Sequence, residues 1–159
     1  MDFDIEKIID MYSDVVYRIA LARTRSRADA EDIFQEVFFT CSKKKPQFND
    51  EEHCKAWLIR TTILCCKKFL SLSWLRKTVP LEDTVSVEME ESESSVYCAV
   101  MELPYKYRIV IWMFYFEDMS VYEIHKALNI KEATIRSQLT RGRKMLREKL
   151  KGEYFHDEA

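Results

Sequence analysis

Ser120-Val121-Tyr122-Glu123-Ile124-His125-Lys126-Ala127-Leu128-Asn129-Ile130, followed by Lys131 through Lys151, is the stretch that decides the fold. Ser120 and Glu123 stand at capping-box spacing, so a helix starts there. Ile124 and Leu128 then fall one turn apart on a single face. Asn129 tolerates the left-handed conformation that ends a helix. Beyond the turn, Ile135, Leu139, Leu146 and Leu150 repeat at helical spacing and make an apolar stripe. Arg136, Ser137, Thr140, Arg141, Arg143 and Lys144 occupy the other faces. The pattern predicts a helix-turn-helix, with a first helix that packs and a second that offers donors to a DNA groove. A plain helical hairpin would need the same apolar spacing. It would not need the basic side chains to gather on the second helix alone.

The charge distribution along the chain points the same way. The 159 residues carry a formal net charge of −2, so bulk charge favours no partner. Residues 1–74 hold twelve basic and twelve acidic side chains, residues 75–100 two and six, and residues 131–151 eight and two. A polyanion-binding end attached through an acidic connector fits this segregation. Only two Gly and three Pro are present, which argues against a turn-dense β fold and for helices.

The N-terminal half reads as three helices. The first covers roughly residues 4–23, with Ile5, Ile8, Ile9, Tyr12, Val15, Val16, Ile19 and Ala20 as its apolar stripe. Ser26 with Asp29 opens the second, which runs to about Ser42 and buries Ala30, Ile33, Phe34, Val37, Phe38 and Cys41. Its other face shows Asp29, Asp32, Gln35 and Glu36. Pro46 stops it, because the residue before a proline is pushed out of the helical region. A polar loop from Gln47 to Glu52 leads to a third helix from about His53 to Leu72. Residues 75–93, with Pro80, several serines and an acidic run, show no periodicity and read as a linker. A short helix to about Glu102 follows, then one opening at Pro104. The apolar run Tyr107–Phe116 is expected to form the core of the second unit.

The sequence therefore predicts an all-α protein of two small helical domains joined by a flexible acidic linker: residues 1–74, a linker over 75–93, and residues 94–159. The five cysteines (Cys41, Cys54, Cys65, Cys66, Cys98) have neither metal-ligand spacing nor a disulfide framework, and are expected to be buried reduced thiols. No metal or cofactor is expected. The N-terminus lacks the basic and apolar regions of a signal peptide, and no apolar run reaches the length of a membrane span. A cytoplasmic protein without membrane insertion is expected.

Taken together, these segments resemble the sigma-70 family, specifically the short extracytoplasmic-function type with only the second and fourth sigma regions. Asp29-Ala30-Glu31-Asp32-Ile33-Phe34-Gln35-Glu36-Val37-Phe38 looks like the family's core-polymerase-binding segment, and Ala56-Trp57-Leu58-Ile59-Arg60 like the start of its −10-reading helix. Leu103-Pro104 with Arg108, then Ser120 to Leu128 and Ala133-Thr134-Ile135-Arg136-Ser137, are similar to the fourth region. The resemblance implies an alternative sigma factor that binds core RNA polymerase and directs promoter-specific initiation on double-stranded and melted promoter DNA. Asp29, Asp32, Gln35 and Glu36 would dock on polymerase. Phe48, Asn49, Asp50 and Glu51 stand in the family's base-capturing loop, and Arg60, Lys67 and Lys68 could hold the strand's backbone. Lys131, Thr134, Arg136, Ser137, Thr140, Arg141, Arg143 and Lys144 would meet the −35 element, arginine being able to donate bidentately to guanine. Arg143, Lys144 and Arg147 would serve phosphates more than bases. Members of the family are commonly held inactive by an anti-sigma factor, which adds such an inhibitor to the implied partners.

The chain departs from the family pattern in places. Leu64 stands where many relatives have Asn, Lys68 where an Asp usually follows, His125 for Ala and Gln138 for a common Arg. Gly142 replaces an Ala, which by helix propensity alone weakens the recognition helix by about 1 kcal/mol. Other function classes find less support. The three histidines (His53, His125, His156) form no catalytic or metal constellation by spacing and no Gly-rich phosphate loop exists, so no enzyme is expected. An ordinary helix-turn-helix regulator has no reason to carry the Asp29–Phe38 segment. A polymerase-binding decoy that no longer opens promoters would fit Leu64, Lys68 and the acidic loop.

Overall fold

A computed structural model describes residues 4–76 and 95–157, with side chains over 4–72 and 95–152. These residues divide into two compact units, one holding the first three helices and one the rest. Among the described residues there is no strand. From residue 77 onward the expected linker lies outside them.

In the first unit, α1 (Ile5–Thr24), α2 (Arg27–Lys44) and α3 (Glu51–Arg76) pack mutually around one core. Each boundary has a local cause. Arg25 takes a left-handed conformation (φ 57°) and donates its N–H to the Leu21 carbonyl, which closes α1. Ser26 accepts from the Asp29 N–H at 3.2 Å and so caps α2, as its spacing predicts. Lys45, also left-handed (φ 47°), donates to the Cys41 carbonyl and ends α2 two residues later than expected, with Pro46 next. Asp50 accepts from the His53 N–H at 2.7 Å, which starts α3 two residues early. The core takes Ile8, Tyr12, Val16 and Ala20 from α1, Ala30, Ile33, Val37, Phe38 and Cys41 from α2, and Cys54, Leu58 and Cys66 from α3. Each large apolar side chain so buried contributes about 1.5–3 kcal/mol. The Tyr12 hydroxyl donates to the Glu51 carbonyl at 3.0 Å, tying α1 to the first turn of α3.

The second unit contains α4 (Ser95–Glu102), α5 (Tyr105–Ile111), a π-helical turn (Trp112–Phe116), α6 (Val121–Leu128) and α7 (Glu132–Asp157), with α4, α5 and α6 all packed on α7. Pro104 sits one position before α5 as its N-cap, not inside its first turn. Buried Arg108 donates to the Leu103 carbonyl at 2.9 Å, so the arginine of this motif clasps the α4–α5 corner.

The apolar run Tyr107–Phe116 is only partly core. Burial holds from Tyr107 to Met113, while Tyr115 is 53% and Phe116 40% exposed. The π turn widens the helix at this point and rotates the last aromatics outward. Phe116 then stacks on Trp112, with centroids 4.3 Å apart and planes 10° apart. The Trp112 indole N–H donates to buried Glu117 at 2.9 Å. α6 has the expected capping box: Ser120 accepts from the Glu123 N–H, and the Glu123 carboxylate from the Ser120 N–H. Asn129 is left-handed (φ 56°), as its place in the turn predicts.

Candidate nucleic-acid interface

The turn between α6 and α7 is fixed from both sides. The Asn129 N–H donates to the His125 carbonyl at 2.9 Å, and the His125 ring Nδ1–H donates to the Ile130 carbonyl at 2.7 Å. His125 thus braces the turn. Ile124 and Leu128 of α6 and Ile135 and Leu139 of α7 are buried, while Leu146 and Leu150 further along are half-buried.

With its apolar face against α5 and α6, α7 presents Thr134, Arg136, Ser137, Thr140, Arg141 and Lys144 to solvent over its first four turns, and Lys131 is exposed just before it. The Arg136 side chain is 64% exposed, and its pairing with Glu132, at 3.9 Å, is loose. An exposed pair of that length is worth little, so Arg136 is available to a base edge. Thr140 donates its hydroxyl back to the Arg136 carbonyl at 3.0 Å. Two other arginines are tethered. Arg143 is half-buried, donates from Nε to the Tyr115 hydroxyl at 2.5 Å, and lies over the rings of Phe114 and Tyr115, each 5.6 Å away. A hydrogen bond from Arg141, helped by Lys106, holds the Tyr107 hydroxyl below the usual phenol range. Sequence reasoning missed these aromatic tethers, because Tyr107 and Tyr115 lie 34 and 28 positions before their arginines.

Gly142 has a cause that helix propensity could not show. A Cβ there would stand 2.9 Å from Ile111 Cγ1 and 3.2 Å from its Cδ1. The glycine lets α7 approach α5 closely, so the expected weakening of the helix is offset by the packing it allows.

In the first unit, α2 shows Asp32, Gln35, Glu36 and Phe39 on one exposed face, with Asp29 half-buried at its start. Phe39 is 63% exposed, an apolar side chain the sequence reading passed over. On α3, Arg60, Leu64, Lys67 and Lys68 share an exposed face, and Leu64 is 55% exposed among the three cations. A groove of about 730 Å³ runs between the two helices. Asp32, Glu36 and Lys44 line its α2 side, and Arg60, Leu64 and Lys68 its α3 side, together with Trp57 and Phe69. The structure thus brings together acidic residues expected to meet polymerase and basic residues expected to meet DNA.

The loop before α3 is organised by rings. Phe48 is half-buried, with its ring 5.8 Å from Trp57 and 5.4 Å from His53, edge-on to each. Asn49, Asp50 and Glu51 beside it are exposed. Trp57 packs against the core from α3. The three cysteines Cys41, Cys54 and Cys66 are buried, and Cys65 and Cys98 half-buried. Among the described residues no group of acidic, histidine or cysteine side chains is arranged to hold a metal, and no helix is long and apolar enough to cross a membrane.

Comparison with known proteins agrees with this geometry over both units. Residues 8–78 match Sigma-70 region 2, and residues 93–146 match Sigma-70, region 4. The chain is 27% identical to the ECF RNA polymerase sigma factor SigW of Bacillus subtilis, over 91% of this chain and 87% of that protein. It is 25% identical to the ECF RNA polymerase sigma factor SigM of Mycobacterium tuberculosis, over 82% and 69% respectively. Its fold is that of the sigma factor RpoE of Bartonella quintana, solved in complex with the anti-sigma factor NepR. The TM-score is 0.72 at 19% identity, covering 92% of this chain and 96% of that one.

Proposed function

From the premise that the chain belongs to the sigma-70 family, in its extracytoplasmic-function branch, we infer that it is an alternative sigma factor that directs core RNA polymerase to its promoters. The observation that carries this reading is one chain holding both regions, with an exposed basic recognition helix in its second unit and an acidic α2 face in its first. Asp29, Asp32, Gln35 and Glu36 dock on a basic surface of polymerase, where charge complementarity sets orientation and encounter rate more than affinity. Lys131, Thr134, Arg136, Ser137, Thr140, Arg141, Arg143 and Lys144 engage the −35 element, Arg136 as the principal base reader. Phe48, Asn49, Asp50 and Glu51 contact the melted −10 strand, its backbone tracked by Arg60, Lys67 and Lys68. The carboxylates of the loop then accept from base amino groups.

The protein works in the cytoplasm, with polymerase and the chromosome, and leaves bond-making to polymerase. An anti-sigma inhibitor is a further partner, supported by the fold-related sigma factor having been solved bound to one.

Run-off transcription tests the reading: host core polymerase, this protein and a library of host upstream regions. Discrete transcripts that depend on the protein are expected. Polymerase binding without transcripts supports the decoy reading, which exposed Leu64 between Arg60 and Lys68 favours. Neither binding nor transcripts returns the chain to the ordinary helix-turn-helix regulators.

A further inference from the structure

The backbone N–H of Asn49 precedes α3, too early to join the helix ladder, and it donates to the His53 ring at Nδ1, 3.1 Å away. In the same turn the His53 N–H donates to the Asp50 carboxylate at 2.7 Å. The two bonds form a reciprocal cap like a capping box, in which a side chain three residues into the helix reaches back to an upstream N–H. In the usual box that acceptor is a Glu or Gln oxygen. Here it is an imidazole nitrogen, which accepts only while it carries no proton.

The ring is held where it can do this. It stands edge-on to Phe48, 89° between planes, and Phe48 in turn rests on Trp57, which packs on the core. The loop's exposed residues, Asn49 and Asp50, are therefore set by one hydrogen bond at each end of His53 and by a chain of three rings.

We propose that His53 is a positioning residue for −10 recognition: its unprotonated Nδ1 latches the Asn49 N–H and presets the loop that meets the melted strand. This rests on the reading of residues 48–51 as the −10 contact. A preset loop binds its base without the cost of ordering itself at that moment. Protonation would turn Nδ1 into a donor facing another donor, and the latch would open. The titratable groups of the same turn are Asp50, which accepts from the His53 N–H, with Glu51 and Glu52 next in sequence, and α1 reaches this turn through Tyr12, whose hydroxyl donates to the Glu51 carbonyl. His53 then acts through the loop rather than on the DNA, and protonation of its Nδ1 would lower promoter discrimination.

Two variants separate the hydrogen bond from the packing. His53→Asn keeps an acceptor one bond beyond Cγ, where Nδ1 stands, but loses the ring and cannot be protonated there. His53→Phe keeps a ring against Phe48 and has no acceptor. In the full chain, the Asn49 backbone amide is followed by NMR from about pH 8 to about pH 6. In parallel, with core polymerase, open-complex formation is compared between a promoter recovered by run-off transcription and the same promoter with its −10 bases permuted. For the wild type, the amide resonance is expected to move with pH while discrimination falls about fivefold, the loss expected for one net hydrogen bond. His53→Asn should hold both constant, which also controls for polymerase's own response to pH. His53→Phe should discriminate poorly at both ends. An amide that does not move, or a His53→Phe protein that discriminates as the wild type does at the upper pH, overturns the latch. An amide that titrates while discrimination holds throughout overturns instead the assignment of the loop to the −10 element.

Discussion

Gly142 of α7 faces Ile111 of α5 so closely that an added Cβ would stand 2.9 Å from Ile111 Cγ1. Ile111 is buried. Gly142→Ala therefore sets two effects against each other: a helix-propensity gain of about 1 kcal/mol and an overpacking cost of about 1–3 kcal/mol. The cost is expected to win, lowering thermal stability. Gly152, on the same helix, has open space around its Cβ direction, so Gly152→Ala is expected to stabilise slightly. Adding Ile111→Val to Gly142→Ala removes the Cδ1 methyl and should recover part of the loss. Thermal melts of the four proteins check this, and a Gly142→Ala protein more stable than wild type would show that α5 yields.

This glycine also marks where sequence reading stops. Ser26, Ser120, Glu123 and Asn129 disclose helix ends because a cap is local: donor and acceptor lie within three or four residues. Pairs such as Gly142 with Ile111, Arg143 with Tyr115, or Arg141 with Tyr107 are set by how helices cross, and no spacing along the chain encodes them. The apolar run Tyr107–Phe116 misleads for a related reason. A π turn shifts the register of a helix without changing its composition, so two aromatics read as core, Tyr115 and Phe116, turn outward. Asp32 and Glu36 lie in one segment and Arg60 and Lys68 in another, and only the fold places them on the two walls of one groove.

Arg136 and Lys144 are both exposed on α7, yet their substitutions should read differently. Arg136 is free of any tight partner and sits in the second turn, so Arg136→Ala should cost ~1–3 kcal/mol at one −35 position and relax discrimination there. Lys144, two turns on, suits a phosphate. Lys144→Ala should weaken all promoters alike and reduce the salt slope of binding by about 1. Binding to a set of single-base −35 variants at several salt concentrations measures both effects. Equal loss on every variant from Arg136→Ala would remove it as a base reader.

Burial also sets how the thiols respond to pH. Cys66 is pushed up to about 12, chiefly by burial, and Cys54 to about 11 by burial and then by Cys41 and Glu51 nearby. A thiol whose folded value is raised keeps its proton when the unfolded chain has lost it. The stability it contributes is therefore complete below about pH 9, the ordinary thiol value, and drains away as pH rises through about 11 and 12. The first unit should lose stability steadily above about pH 9, and Cys54→Ala with Cys66→Ala should flatten that slope while lowering stability at neutral pH. Denaturant melts across the alkaline range check the slope. At about neutral pH, alkylation of the native protein should reach half-buried Cys65 and Cys98 before Cys41, Cys54 and Cys66.

Phe39 lies one turn beyond Gln35 on the exposed face of α2, and with 63% of its surface in water it stabilises the fold very little. A large ring kept in solvent on the same face as Asp32 and Glu36 makes sense as the apolar centre of a docking patch whose charges supply orientation. Interfaces concentrate their energy in such central aromatic residues, ringed by polar ones that exclude water. Phe39→Ala is thus expected to leave the melting temperature within about a degree while weakening capture of core polymerase by about tenfold or more, the effect of a hot-spot residue. Asp32→Arg with Gln35→Ala should weaken capture as well, through charge, and that loss should shrink as salt rises. The salt response separates the two contributions: the Phe39→Ala deficit should persist at high salt because burial of an aromatic ring is not screened. Wild-type capture by the Phe39→Ala protein would remove the ring from the docking patch and leave the acidic residues to carry it.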